Sequence, residues 1–238
     1  MKNICYNLHI LIKFKGEKVM KIGIDLDGVV IDSETTFRTY EELYEISILK
    51  QNKLVNREEP KFQARYNWTK EQQKYFADKF FLQISKESNL MSGFAAAYKY
   101  LKEHGHEFIV ITARGLTPDG NFMKEMEEDA KRILDEGNIL FDKYYWGQRD
   151  KLNVCQKENI DVMIDDDWRI IEKLSTNNIK TLYFRDTNLK KLEENKFVKE
   201  VNNWGDICRY ISEKILREVK MKYLVMSITQ IMCHQQKM

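Results

Sequence analysis

The sequence has no excess of either charge. Its 39 basic residues stand against 37 acidic ones, a formal net charge of +2. Such a balance gives no electrostatic reason to expect nucleic acid or an anionic membrane as partner. Long apolar runs are missing too. None approaches the roughly 18 residues needed to span a bilayer. The apolar stretch Leu8 to Phe14 is short and broken by His9 and Lys13, unlike a signal peptide. The four cysteines, Cys5, Cys155, Cys208 and Cys233, form no CxxC pair, and no histidine lies at zinc-ligand spacing. They read as unpaired thiols in a reducing compartment, so the expected location is cytoplasmic. No internal repeat or low-complexity tract is visible.

What is present suits a globular protein. Charged residues make up 32% of the chain and hydrophobic ones 43%, and 238 residues fit one core domain carrying an insertion. Residues 15 to 20 read Lys-Gly-Glu-Lys-Val-Met. Lys-Gly-Glu is what a purine-rich ribosome-binding site encodes when translated in frame. Residues 1–19 are therefore either an N-terminal extension or the product of a misplaced start, with Met20 the true first residue.

Hydrophobic periodicity organises the rest. Lys21 to Asp25 is a short apolar run ending on an acid, the mark of a buried strand. Phe37, Tyr40, Leu43, Tyr44 and Ile48 have helical spacing over 33–49, with Ser33 as the expected N-cap. Residues 50–60 read as loop. Thr69 to Gln72 matches a capping box and opens a second helix. No strand is expected over 35–88, which reads as a small helical insertion. A helix over 92–104 stops at Gly105, and Phe108 to Thr112 is a second buried strand. A charged helix is expected over 121–136, a short strand over 141–146, and a helix from Lys151. Asp161 to Asp165 is another strand, 167–175 a helix, and Lys180 to Phe184 the last strand. A terminal helix runs from Trp204 to about Met226. Alternating strand and helix predict an α/β fold, a parallel sheet sandwiched by helices. The expected division is a core of 20–34 and 89–212, the insertion 35–88, and a C-terminal helix 213–238. That helix's apolar positions could pack on the core or on a second copy, forming a homodimer.

Three strands end in polar residues: Asp25 with Asp27, Thr112, and Asp165 with Asp166. Ligands of open α/β sheets bind at the carboxyl ends of the strands, so these groups should converge. Four carboxylates in one crevice repel one another unless a cation sits among them or some are protonated. Oxygen ligands without His or Cys point to Mg²⁺. Phosphoryl transfer would use every part. A cation and Lys151 neutralise the dianion, Asp25 attacks phosphorus, and Asp27 protonates the leaving oxygen and later activates water. Thr112 and Lys151 hold the phosphate oxygens.

Asp25-Leu-Asp27-Gly28-Val-Val resembles motif I of the haloacid dehalogenase superfamily of phosphatases. Ile-Thr112-Ala113-Arg114 resembles motif II, Lys151 before a helix motif III, and Met-Ile-Asp165-Asp166 motif IV. The four occur in family order within about residues 20–212. Asp-Gly-Val-Val, Ile-Thr-Ala-Arg, the insertion with Tyr66-Asn-Trp68 and the Trp204 segment look most like the 5′(3′)-deoxyribonucleotidase group.

The resemblance implies a Rossmann-like fold with a cap inserted after the first strand. It also implies Mg²⁺ held by Asp25, the Asp27 backbone carbonyl, Asp165 and Asp166. Substrate would meet Gly28, Thr112, Ala113, Arg114 and Lys151, with Gly28 allowing a sharp turn beneath the phosphate.

The main reading is thus a phosphomonoesterase for nucleoside monophosphates. A sugar phosphate or other small metabolite is the alternative substrate, and a non-catalytic metal- or phosphate-binding module is the alternative of another class. A calcium loop fits poorly, because Gly28 follows the second acid directly. Asp165 to Asp167 could be a polar strand exit, with Asp167 the N-cap of the next helix. Arg114 is either a substrate contact or a surface salt-bridge partner. His104 and His106 are expected as exposed turn residues. Phe37, Tyr40, Tyr66, Trp68 and Phe76 are expected as insertion core rather than a base-stacking surface. Lys124 to Arg132 is expected as a solvated helix face.

Overall fold

A computed structural model describes residues 19–117, 119–186 and 188–213. The N-terminal extension up to residue 18, Cys5, Cys233 and the C-terminal helix beyond residue 213 lie outside them. Six strands form one parallel sheet in the order β5-β4-β1-β6-β7-β8. They are β1 (Lys21–Ile24), β4 (Glu107–Ile111), β5 (Lys143–Tyr145), β6 (Val162–Asp165), β7 (Thr181–Phe184) and β8 (Val198–Val201). Lys180 to Phe184 was expected to be the last strand. Instead β8 adds a further one, pairing Thr181 with Val198 through Phe184 with Val201. Its sequence Val-Lys-Glu-Val is too charged to announce a strand; the ladder offered by β7 supplies what propensity does not.

Alternation of side chains sorts the core into two layers. Ile22, Ile24, Phe108, Val110, Val162, Ile164, Leu182 and Phe184 face one way. They pack on α4 (Phe94–Glu103), α5 (Lys124–Glu136) and a last helix at 204–213. Ile109, Ile111 and Met163 face the other way, against α6 (Leu152–Glu158) and α7 (Trp168–Thr176). Gly23 leaves room there, since a Cβ would stand 2.7 Å from Met163 Sδ.

Between β1 and β4 the chain leaves and re-enters through β2 (Ile31–Asp32) and β3 (Asn89–Leu90), an antiparallel pair. Between them lie α1 (Glu34–Leu43), a π-helical continuation (Tyr44–Leu49), α2 (Phe62–Arg65) and α3 (Lys70–Glu87). Tyr44, Phe62, Tyr66, Trp68, Phe76 and Phe81 form a separate aromatic core within this insertion. The capping box opens α3 as expected. Thr69 Oγ1 accepts from Gln72 N at 3.3 Å, and Gln72 Oε1 accepts from Thr69 N at 3.0 Å.

Two local expectations are corrected. Ser33 precedes α1 but makes no side-chain cap bond, because its own backbone is helical at φ −89° and ψ −25°. His106 is buried, not an exposed turn residue. The turn at Gly105 carries its imidazole inward, where Nδ1 accepts from Met20 N at 3.2 Å. Burial, with His104 adding to it, pushes its pKa down to about 4. Among the described residues no helix is long and apolar enough to cross a membrane.

Candidate active site

The sheet order repeats the doubly-wound pattern, with the first strand central and the direction of progress reversing beside it. Ligands of such sheets bind outside the carboxyl ends of the strands at that switch point. Here the switch lies between β1 and β6, so Asp25, one residue past β1, meets Asp165 at the end of β6. Asp25 N donates to Ile164 O at 3.0 Å, which fixes the register of the two strand ends.

Lys151 stands between these acids. Its Nζ lies 2.8 Å from Asp25 Oδ2 and 2.6 Å from Asp165 Oδ2, with the side chain 3% exposed. It occupies the N-terminal position of α6, where the preceding Asp150 accepts from Leu152 N at 3.1 Å and Thr112 O accepts from Gln148 N at 2.7 Å. The connection from β5 is thus tied to β4, and the lysine turns inward. Burial pulls the Lys151 pKa down, but the Asp165 and Asp25 charges outweigh it and hold the ammonium above its usual range.

Oxygens of Asp25, Asp165 and Asp166 lie within 4.8 Å of one another. Burial raises the pKa of both Asp165 and Asp166, and the neighbouring carboxylates raise them further. With all three acids ionised, one ammonium leaves negative charge over, which protonation or a bound cation would relieve. An all-oxygen set with surplus charge fits a hard divalent cation such as Mg²⁺. The Asp165 oxygens are otherwise committed to Lys151 and to Asp167 N at 3.0 Å. Asp167 is the N-cap of α7, as expected, accepting from Arg169 N at 3.0 Å.

Between Asp25 and the insertion the chain makes a tight turn. Leu26 O accepts from Val30 N at 2.9 Å and Ile31 N at 2.8 Å, and Leu26 N donates to Asp25 Oδ1 at 2.7 Å. Gly28 sits in this turn at φ +72°, and a Cβ there would come within 2.1 Å of Asp166 Oδ2. Glycine is required twice over, by conformation and by the closeness of the acid.

Asp25, Asp27, Gly28, Thr112, Ala113, Arg114, Lys151 and Asp166 all line one cavity of about 320 Å³; Asp165 lies behind it, fully buried. The Asp27 carboxylate is a third exposed and turns away from the three-acid cluster toward Arg114. Arg114 is no surface residue: its side chain is 1% exposed. Thr112 Oγ1 accepts from Arg114 N at 3.1 Å. Phe37, Phe62 and Phe81 close the cavity from the insertion, with Lys61 and Arg149 among its lining. Tyr66, Trp68 and Phe76 do not reach it; they stack within the insertion, as expected.

No protein-family model matches the sequence, and no curated protein matches it. Solved structures do match the fold. A haloacid dehalogenase-like hydrolase from Streptococcus pneumoniae superimposes with TM-score 0.59 at 13% identity, covering 81% of this chain and 98% of its own. The chain has a haloacid dehalogenase-like fold. A predicted phosphatase from Clostridium acetobutylicum shares this fold at TM-score 0.57 and 18% identity, over 82% of this chain and 100% of that one. CbbY from Rhodobacter sphaeroides, solved with xylulose-1,5-bisphosphate, does so at TM-score 0.51 and 13% identity, over 79% and 96%.

Several residues lining the cavity of this haloacid dehalogenase-like fold escaped the sequence reading as site residues: Ser33, Glu34, Glu41, Lys61, Phe81 and Arg149. Ser85, bonded to Arg114, escaped it as well. A signal existed for Ser85. It lies on the α3 stripe with Ala77, Phe81 and Ile84, where a buried hydroxyl calls for a partner.

Proposed function

We propose that this protein is a Mg²⁺-dependent phosphomonoester hydrolase for a small phosphorylated metabolite of the sugar-phosphate type. One observation carries the reading. Lys151 bridges Asp25 and Asp165 while Asp25, Asp165 and Asp166 converge at the switch point of the sheet. Structural ion pairs balance their charges; this cluster has an excess of acid, beside a cavity sized for a small molecule.

The chemistry follows from the placement of each group. Thr112 and Lys151 would hold non-bridging phosphate oxygens against the end of the sheet. Mg²⁺ on Asp25, Asp165 and Asp166 would supply charge neutralisation for the nucleophile and the dianionic substrate. An Asp25 oxygen forms a bond to phosphorus as the ester P–O bond breaks, and Asp27 gives its proton to the departing oxygen. Asp27, now a carboxylate, takes a proton from water. The water oxygen attacks phosphorus, inorganic phosphate leaves, and Asp25 is restored. The helical insertion, zipped at its base by β2 and β3, would act as a cap that limits water and substrate size.

The nucleoside monophosphate reading has less support than the sugar-phosphate one. One solved structure of this fold holds a pentulose bisphosphate; Tyr66, Trp68 and Phe76 stay in the insertion's own core, and the rings that reach the cavity are Phe37, Phe62 and Phe81. Phosphate release from a panel of sugar phosphates and nucleoside monophosphates, with and without Mg²⁺, tests the assignment. Mg²⁺-dependent turnover favouring sugar phosphates is expected. Preference for nucleotides would restore the other substrate, and Mg²⁺ binding with no turnover on any ester would leave a binding module.

A further inference from the structure

The Arg114 guanidinium meets three separate parts of the chain. Nε donates to Met126 O on α5 at 3.0 Å, Nη2 donates to Ser85 Oγ on α3 at 2.8 Å, and Nη1 donates to Asp27 Oδ1. Both Arg114 and Ser85 are buried. The planar fork is rigid, so its three nitrogens cannot be re-aimed one at a time. Rotating it toward one partner would strand another in a place without water, which costs more than the bond gained. Asp27 is therefore held by one oxygen, and Oδ2 is the oxygen left to serve a leaving group.

Ser85 belongs to the insertion, whereas Arg114 and Asp27 belong to strand ends of the core. α3 lies against α5 here, and Arg132 Nη2 reaches Lys86 O at 3.2 Å beside the same contact. A shift of α3 by a fraction of a hydrogen-bond length would take Ser85 Oγ from Nη2. The fork would then lose one of the three anchors that aim it at Asp27.

We propose that Arg114 is the positioning residue for Asp27, and that Ser85 makes this positioning depend on how the insertion sits on the core. The proposal rests on the reading of Asp27 as proton donor. Proton delivery is then correct only when the insertion is seated over the cavity.

The test compares two leaving groups. 4-Nitrophenyl phosphate departs as a stabilised phenolate and needs little protonation; a sugar phosphate departs as an alkoxide and needs it. Ser85→Ala should cut kcat on the sugar phosphate about tenfold more than on the aryl ester, with KM changed less than about twofold. Arg114→Lys should show the same selectivity at about a hundredfold. In an Asp27→Asn background, Ser85→Ala should add no further selective loss. Thermal unfolding of Ser85→Ala serves as the folding control, since it removes a single hydroxyl. Equal losses on both esters, or a selective loss that persists in Asp27→Asn, would overturn the proposal alone. A wild-type protein that releases phosphate from neither ester would overturn it together with the reading it rests on.

Discussion

Two of the buried charge clusters among the described residues differ in how they close. In the insertion, Glu34 and Glu41 meet Arg65 at 2.7 and 2.5 Å, and Arg38 Nε stands 2.7 Å from Glu34. Two carboxylates face two guanidiniums, and Arg65 spends further donors on Glu59 O at 3.0 Å and Pro60 O at 3.1 Å. At the end of the sheet, Asp25 and Asp165 share the ammonium of Lys151, and Asp166 joins their cluster without pairing to it. The first cluster matches each carboxylate with a guanidinium of the chain, although Glu34 and Glu41 also line the cavity and Arg38 Nη2 is buried without a hydrogen-bond partner. The second lacks positive charge, and that shortfall separates a site built to hold a ligand from one built to hold the fold.

The comparison can be broken at its closed end first. Arg65→Met strands the buried Glu41, leaves Glu34 only Arg38, and should cost about 3–5 kcal/mol of stability, read from urea unfolding. A loss below about 1 kcal/mol would mean the cluster is not the closed unit described. At the open end, Mg²⁺ at a hundred times its dissociation constant should stabilise the protein by about 2.7 kcal/mol. That gain should vanish in Asp165→Asn and survive in Glu41→Gln; the reverse pattern would place the ion in the insertion.

A pH series sharpens the contrast. Burial pushes Glu41 from 4.5 up to about 7, with Glu34 adding to it and Arg65 opposing. The folded state then holds a proton that the unfolded state has lost. Stability from this group is full below pH 4.5 and declines as pH rises through about 7. His106, lowered from 6.5 to about 4, acts with the opposite sign and costs stability as pH falls between those values. Glu41→Gln should therefore lessen the decline toward neutral pH, leaving the part carried by the raised Glu34, Asp165 and Asp166, and leave the His106 loss in place. An unchanged profile would show that Arg65 keeps Glu41 ionised. The smallest effect is expected at the capping box, where Thr69→Ala should cost about 1 kcal/mol without altering Mg²⁺ binding.

Much of the sheet was legible because buried strands are written as apolar runs. β1, β4, β6 and β7 are four or five residues each, ending where Asp25, Thr112, Asp165 and Arg185 begin or close the run. β8 was not legible, since the charged pair Lys199 and Glu200 interrupts Val198 and Val201. The convergence of Asp25, Asp165 and Asp166 was legible from the strand-end rule, whereas Lys151 before its helix was placed by the resemblance. Arg114 was only half legible. The resemblance of Ile-Thr-Ala-Arg to motif II placed it at the site, but nothing local says that α3 and α5 fold over it, and burial is what turns a surface ion pair into a fixed fork. His106 failed for the same reason, because its partner Met20 lies 86 residues away.

The most direct test of the central claim is an acid quench during turnover of a sugar phosphate with Mg²⁺, followed by peptide mass analysis. The account predicts one added phosphoryl group on the peptide carrying Asp25, absent without Mg²⁺ and absent in Asp25→Asn together with turnover. Phosphate release that persists in Asp25→Asn, or a phosphoryl group found on any other residue, would contradict it.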